Sequence, residues 1–150
     1  MMIRLIPEQV SKFWDIIKYA LEDFPPASIE VRDANWINNI LISAMDGSIQ
    51  VWASYDRLEE GINFKGIVIT SIEVDKFVKQ KNLLIYYVYM FNSMSVANWT
   101  EGLDVVRKYA KSRKCSRVLA YSNIPEIINI SKKLGGDVST TFIAFDLGGK

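Results

Sequence analysis

Histidine is absent from the 150 residues, and Cys115 is the sole cysteine. A Ser-His-Asp or Cys-His catalytic arrangement is therefore excluded. A zinc site lacks the ligands it would need, so no metal is expected. A lone cysteine excludes an internal disulfide and suits a reducing compartment. Any general base has to be Asp, Glu, Tyr, a depressed Lys or a water. Charge of one sign is missing too: 18 Lys and Arg stand against 17 Asp and Glu. Without a strong field, nothing points to nucleic acid or to an anionic membrane. The modest basic cluster from Arg107 to Lys114 reads as the solvated face of a helix. Long apolar runs are lacking as well. The longest, Leu83 to Phe91, is too short to span a bilayer. The Met1–Pro7 stretch has no basic-then-apolar signal layout, so a cytoplasmic, non-secreted protein is expected. Asn98-Trp99-Thr100 and Asn129-Ile130-Ser131 then match the glycosylation pattern by chance.

What is present reads as one α/β (α+β) domain over residues 1–150, with 49% apolar and 23% charged residues. Ile3–Ile6 predicts a strand stopped by Pro7. Phe13, Trp14, Ile17, Leu21 and Phe24 follow helical spacing, with Pro25-Pro26 ending that helix. Trp14, together with Phe13 and Ile17, is expected to be largely buried against the sheet. A second helix is expected from about Arg32 to Met45, with Trp36, Ile40, Leu41 and Met45 on one face and a turn at Asp46-Gly47. Ile49–Tyr55, Lys65–Glu73 and Leu83–Phe91 read as strands, the last apolar enough to be covered on both faces. Asp56–Asn63 and Asp75–Asn82 read as their connections. Trp99, Leu103, Val106 and Ala110 predict a helix up to about Lys114. Beyond it come a strand at Arg117–Tyr121, a helix at Pro125–Leu134 closed by Gly135-Gly136, and a final strand at Val138–Leu147. The order is β-α-α-β-β-β-α-β-α-β. The strands Leu83–Phe91 and Arg117–Tyr121 should lie side by side and parallel at the centre of one mixed sheet, with the helix from about Trp99 to Lys114 making the right-handed crossover between them.

That order, and the stretch Trp99–Gly135 with its Tyr109–Val118 passage from helix into strand, resemble the GNAT superfamily of N-acetyltransferases. More narrowly, Phe13-Trp14, Gln50-Val51-Trp52, Val68-Ile69-Thr70 and Trp99 resemble short GNAT-like proteins of tailed bacteriophages, often encoded among virion genes. The resemblance implies a GNAT-like domain with helices on both faces of the sheet. In the family, backbone amides at the head of the helix after the central strand hold the CoA pyrophosphate on an Arg/Gln-x-x-Gly-x-Gly/Ala loop. Helix-start amides attract phosphate, and glycines let the backbone come close. Here that window is Met94-Ser95-Val96-Ala97-Asn98-Trp99, with Met94 at the Arg/Gln position and Ala97 and Trp99 at the glycine positions. The family's general-acid tyrosine aligns with Ser131, a far weaker acid. Its strand glutamate has no counterpart within Leu83–Phe91, which leaves Glu73. Asn123 stands one residue out of register with the family's Asn.

Two functions follow. One is a non-catalytic binding or structural domain, of a phage particle, needing no cofactor and partnered by other proteins, virion components or itself. The other is a divergent acetyl-CoA-dependent N-acyltransferase. In that enzyme Ser93, Ser95 and the amides of Val96, Ala97, Asn98 and Trp99 hold the phosphates, and Glu73 acts as base through water, with Ser131 at the acid position. Trp99 itself reads first as a core or interface side chain. Tyr86, Tyr87 and Tyr89 read as core residues with polar tips.

Overall fold

The computed structural model describes residues 1–26 and 35–148. Its elements are β1 (Met2–Arg4), α1 (Pro7–Lys12), α2 (Trp14–Asp23), α3 (Trp36–Asp46), β2 (Ile49–Leu58), β3 (Gly61–Val74), β4 (Lys81–Met90), α4 (Val96–Ser112), β5 (Arg117–Ala120) and α5 (Pro125–Lys133). The strands form one sheet in sequential order, β1-β2-β3-β4-β5. The first three pairings are antiparallel; β4 and β5 run parallel, as expected, with α4 between them in sequence.

Several boundaries differ from the sequence reading for identifiable reasons. The first helix is two, because Phe13 leaves helical geometry (φ −101, ψ 14) while its N–H still reaches the Gln9 carbonyl. There its ring meets Phe64 edge-on at 5.1 Å, so a sheet contact sets the kink. Trp14 is consequently half-buried rather than buried, and Ile17 and Leu21, both fully buried, carry that face. Of the second predicted helix, Arg32–Ala34 lie outside the described residues. In α3 itself Ile40 and Ala44 are buried and Met45 is exposed. The charged stretch Asp56–Asn63 is mostly strand, because β2 and β3 continue to a two-residue turn at Glu59-Glu60 with Gly61 at φ 135. Only glycine takes that backbone without strain.

The expected final strand is the largest difference. Residues 137–148 run without turn or bend and join no ladder among the described residues. Strand residues hold their shape through a paired neighbour, and among the described residues the four-residue β5 is met only on its β4 side. β5 is therefore the edge of the sheet, not part of its centre.

Two cores cover the two faces. On one, Val10, Ile17, Leu21 and Ile40 pack on Val51, Ala53, Ile67, Ile69 and Tyr87. On the other, Val106 and Ala110 of α4 pack on Trp52 and Leu83, with Cys115 against them. The tip of β2 and β3 is tied by Lys65 and Asp56, whose charged groups lie 3.0 Å apart.

Candidate functional site

Where β4 and β5 part, the sheet opens. Their pairing runs from Asn82↔Arg117 to Ile85↔Ala120 and ends with the Tyr121 N–H on the Ile85 carbonyl at 3.3 Å. On the other side of β4 the register slips at the same level: Ile69 faces Tyr87 and Thr70 faces Ile85, so Tyr86 has no opposite residue. A bulge of this kind re-aims side chains. Leu83 and Ile85 point to the α4 layer, whereas Tyr86, Tyr87 and Tyr89 point to the α1–α3 layer.

The cleft at this opening is lined by Phe24, Pro25, Tyr86, Tyr121, Asn123 and Ile127, among others. Its volume is about 20 Å3, room for about one water. Tyr86 and Tyr87 thus do reach a cleft, and Tyr121 and Ile127 join them. Tyr121 escaped the sequence reading because only the end of the β4–β5 ladder puts it there.

Behind the cleft the phenols secure the end of α2. The Tyr87 hydroxyl lies 2.8 Å from the Ala20 carbonyl and 2.5 Å from that of Phe24. The Tyr89 hydroxyl donates to Asp23 Oδ2 at 2.5 Å. Burial pushes the Tyr87 phenol well above its ordinary range, with Tyr89 and Asp23 adding to the effect. Tyr89 is pushed from 10.0 up to about 12, first by its bond to Asp23, then by burial and by the Asp23 charge. A phenol with a raised folded-state value stabilises the fold fully below its unfolded value and loses that contribution as pH climbs through the folded one. Stability is therefore expected to decline between pH about 10 and about 12. Denaturant midpoints measured across that range should fall less steeply in Tyr89→Phe; an identical slope in both proteins would remove this bond as the cause.

The residues expected to hold phosphates gather at the head of α4, on the Phe91–Ser95 loop that follows β4. Ser95 is the N-cap, and its hydroxyl oxygen accepts from the Asn98 N–H at 3.1 Å. The Trp99 N–H goes to the Ser95 carbonyl. Val96 and Ala97 are exposed, Ser93 is exposed, and Trp99 and Asn98 are half-buried. A larger hollow of about 680 Å3 flanks this helix, but α4 alone lines it, through Val96, Ala97, Thr100, Glu101, Asp104, Val105 and Lys108. Binding sites draw converging groups from several elements, and here the Glu101 carboxylate lies 3.4 Å from the Met1 ammonium and that of Asp104 3.8 Å from Arg107.

Neither catalytic candidate stands in the cleft. Glu73 pairs with Asn82 near the start of β4, is exposed, and accepts a hydrogen bond from the Ser71 hydroxyl at 2.8 Å. Three residues separate Asn82 from Tyr86, a rise of roughly 13 Å between their levels along the strand. Ser131 donates to the Ile127 carbonyl at 2.7 Å within its own helix. Asn123 lines the cleft. Among the described residues no group of three or more His, Cys, Asp or Glu is placed to hold a metal ion, and no helix is long and apolar enough to cross a membrane.

No family model matches the sequence, and no curated relative does. Solved structures do. A probable acetyltransferase superposes with a TM-score of 0.72 at 7% identity, covering 100% of this chain and 98% of its own. A predicted acetyltransferase from Clostridium acetobutylicum, solved with acetyl-CoA, gives 0.70 at 14% identity, covering 98% and 96%. A ribosomal-protein-alanine N-acetyltransferase from Brucella melitensis gives 0.67 at 12%, covering 98% and 99%. At such identities the likeness is one of fold: the chain has the GNAT-like acetyltransferase fold. Nothing in these likenesses points to a phage particle.

Proposed function

We propose that this chain is a GNAT-fold binding domain that does not transfer acyl groups. The observation that carries this reading is the filled opening between β4 and β5. A cleft with room for about one water cannot admit a pantetheine arm unless Tyr86, Tyr121 or Ile124 moves. The head of α4 supports the same reading. One of its amides is already engaged by Ser95, and the Met94–Trp99 window has no glycine. A phosphate would have to displace the cap and approach past side chains. Among the described residues, the candidate base Glu73 stands away from the cleft, at the level of Asn82. Other proteins, or further copies of the chain, are the partners this reading calls for; a place in a phage particle is one setting for such a domain.

Calorimetric titration with acetyl-CoA tests it. No saturable heat is expected at concentrations below about 1 mM, equivalent to about −4 kcal/mol, and no acetyl transfer to a panel of primary amines. Micromolar affinity, lost in Ser95→Ala or on placing an acidic residue at Ala97, would overturn the reading in favour of the divergent acyltransferase.

A further inference from the structure

The balanced total charge hides a local imbalance at the turn that joins β3 to β4. Over residues 71–82 and 113–117 the basic side chains are Lys76, Lys79, Lys81, Arg113, Lys114 and Arg117, and the acidic ones are Glu73 and Asp75. All of them are exposed. The fold gathers them at one end of the sheet. Val74 pairs with Lys81, Asn82 pairs with Arg117, and the Ser116 N–H reaches the Lys81 carbonyl at 2.8 Å. The Asp75 carboxylate is already engaged, accepting from the Phe77 and Val78 N–H groups at 2.8 and 3.0 Å. Among the described residues these cations take part in no salt bridge. Arg117 makes one side-chain hydrogen bond, to Asn82 Oδ1 at 3.4 Å.

At the apex stands Phe77, 92% exposed, with Val74 and Val78 bare beside it. Among the described residues up to 137, no large apolar side chain is barer. The turn fixes it there. The Lys79 N–H reaches the Asp75 carbonyl at 3.0 Å, the Asp75 N–H reaches that of Gln80 at 2.9 Å, and Lys79 takes the left-handed conformation at φ 60. The turn also projects. β2 begins at Ile49 opposite Ser71, so Ile72–Val74 carry the turn past it by roughly 10 Å.

We propose that this tip docks on an anionic lipid bilayer, with Phe77 and Val78 entering the boundary between headgroups and acyl chains and the surrounding lysines and arginines facing the phosphates. Apolar side chains backed by cations suit that boundary. Lysine stems lie along apolar surface while their ammonium groups stay wet, and each cation held near an anionic bilayer adds to the attraction. Shape separates this occupant from a protein or a nucleic acid. An apex that projects offers no groove to seat an acidic peptide. Beside its one aromatic ring stand two valines, which bury among acyl chains and give bases nothing to stack on. A turn already fixed in shape also spares the cost of ordering it on contact.

Co-sedimentation of the full chain with vesicles of equal parts phosphatidylserine and phosphatidylcholine tests this. Binding is expected at low ionic strength, much weaker to phosphatidylcholine alone, and should fall as salt is raised. Lys76→Gln should lower the partition coefficient about fivefold, the effect of one cation at such a surface. Phe77→Ala should lower it about tenfold, for the apolar area withdrawn. Both positions are exposed, so the thermal transitions should be unchanged. Phe77→Trp should gain fluorescence quenching by brominated lipid relative to the parent chain. Absence of binding to the anionic vesicles overturns the proposal, as does equal binding to uncharged ones. So does binding that either substitution leaves intact, or a Phe77→Trp chain that gains no quenching. An acidic peptide or a single-stranded oligonucleotide that binds where the vesicles do not, and is released by the same substitutions, overturns it in favour of that partner. None of these outcomes depends on acetyl-CoA, and a negative result leaves the acyl-transfer reading where it stands.

Discussion

Trp52→Ala is expected to cost about 3–5 kcal/mol of folding stability, the range for truncating a large buried aromatic. Trp52 is 3% exposed at the centre of the α4-side core, where it packs with Leu83 and Val106. Its indole meets the Tyr109 ring edge-on at 5.3 Å, a geometry that adds to simple burial. Tyr109 is held from outside by Arg4, whose guanidinium lies 5.0 Å over the ring and 3.3 Å from the phenol oxygen. The truncation therefore loosens the contact between α4 and the sheet together with the attachment of β1. Urea unfolding monitored by circular dichroism gives the number. A loss under about 1 kcal/mol, the ordinary surface range, would mean that α4 does not pack as described.

The second large effect is expected from a change that removes no volume. Thr70 is fully buried, and its hydroxyl accepts from the Trp52 indole N–H at 3.0 Å and donates to Gln50 Oε1 at 2.8 Å. Gln50 is itself buried. Thr70→Val keeps the shape and leaves a donor and an acceptor unmet inside the sheet. At about 1–3 kcal/mol for each orphaned group, the cost should be roughly 2–6 kcal/mol, whereas Thr70→Ser, which keeps the hydroxyl, should lose about 1 kcal/mol. A double-mutant cycle with Trp52→Phe separates the two bonds, because removing the indole N–H should make Thr70→Val cheaper. Equal losses for valine and serine would show that the hydroxyl chain contributes nothing.

This buried chain shows where sequence reading succeeds and where it stops. Gln50, Trp52 and Thr70 were visible as members of strands, because alternation and β-forming residues mark Ile49–Tyr55 and Lys65–Glu73. That they meet depends on Gln50 facing Thr70 across β2 and β3, and register is a property of two strands at once. The parallel β4–β5 pair was legible for a similar reason to the helices: a long apolar strand, an amphipathic helix and a short strand leave few ways to connect. At the α4 head the missing glycines were plain in the sequence, but the Ser95 cap and the carboxylate flank needed coordinates. The cleft was the least legible part. Tyr121 and Ile127 reach it only because β5 stops at Ala120. The Val138–Leu147 stretch carries a true strand composition, and composition alone does not supply the neighbour a strand requires.

The bulge at Tyr86 sets β4 out of phase with itself. Side chains recur with period two along a strand, and one extra residue turns the count from odd to even. Residues before Tyr86 and residues after it therefore serve opposite layers under the same parity. Substitutions cannot repair or reproduce this, since they leave the count unchanged. Loss of a single residue at Tyr86 would restore a regular ladder and leave Tyr87 and Tyr89 on the α1–α3 side, whereas loss of one at Val88 would send Tyr89 to the α4 side and strip Asp23 of its phenol. For this sheet the number of residues in β4 is a stronger constraint than the identity of most of them.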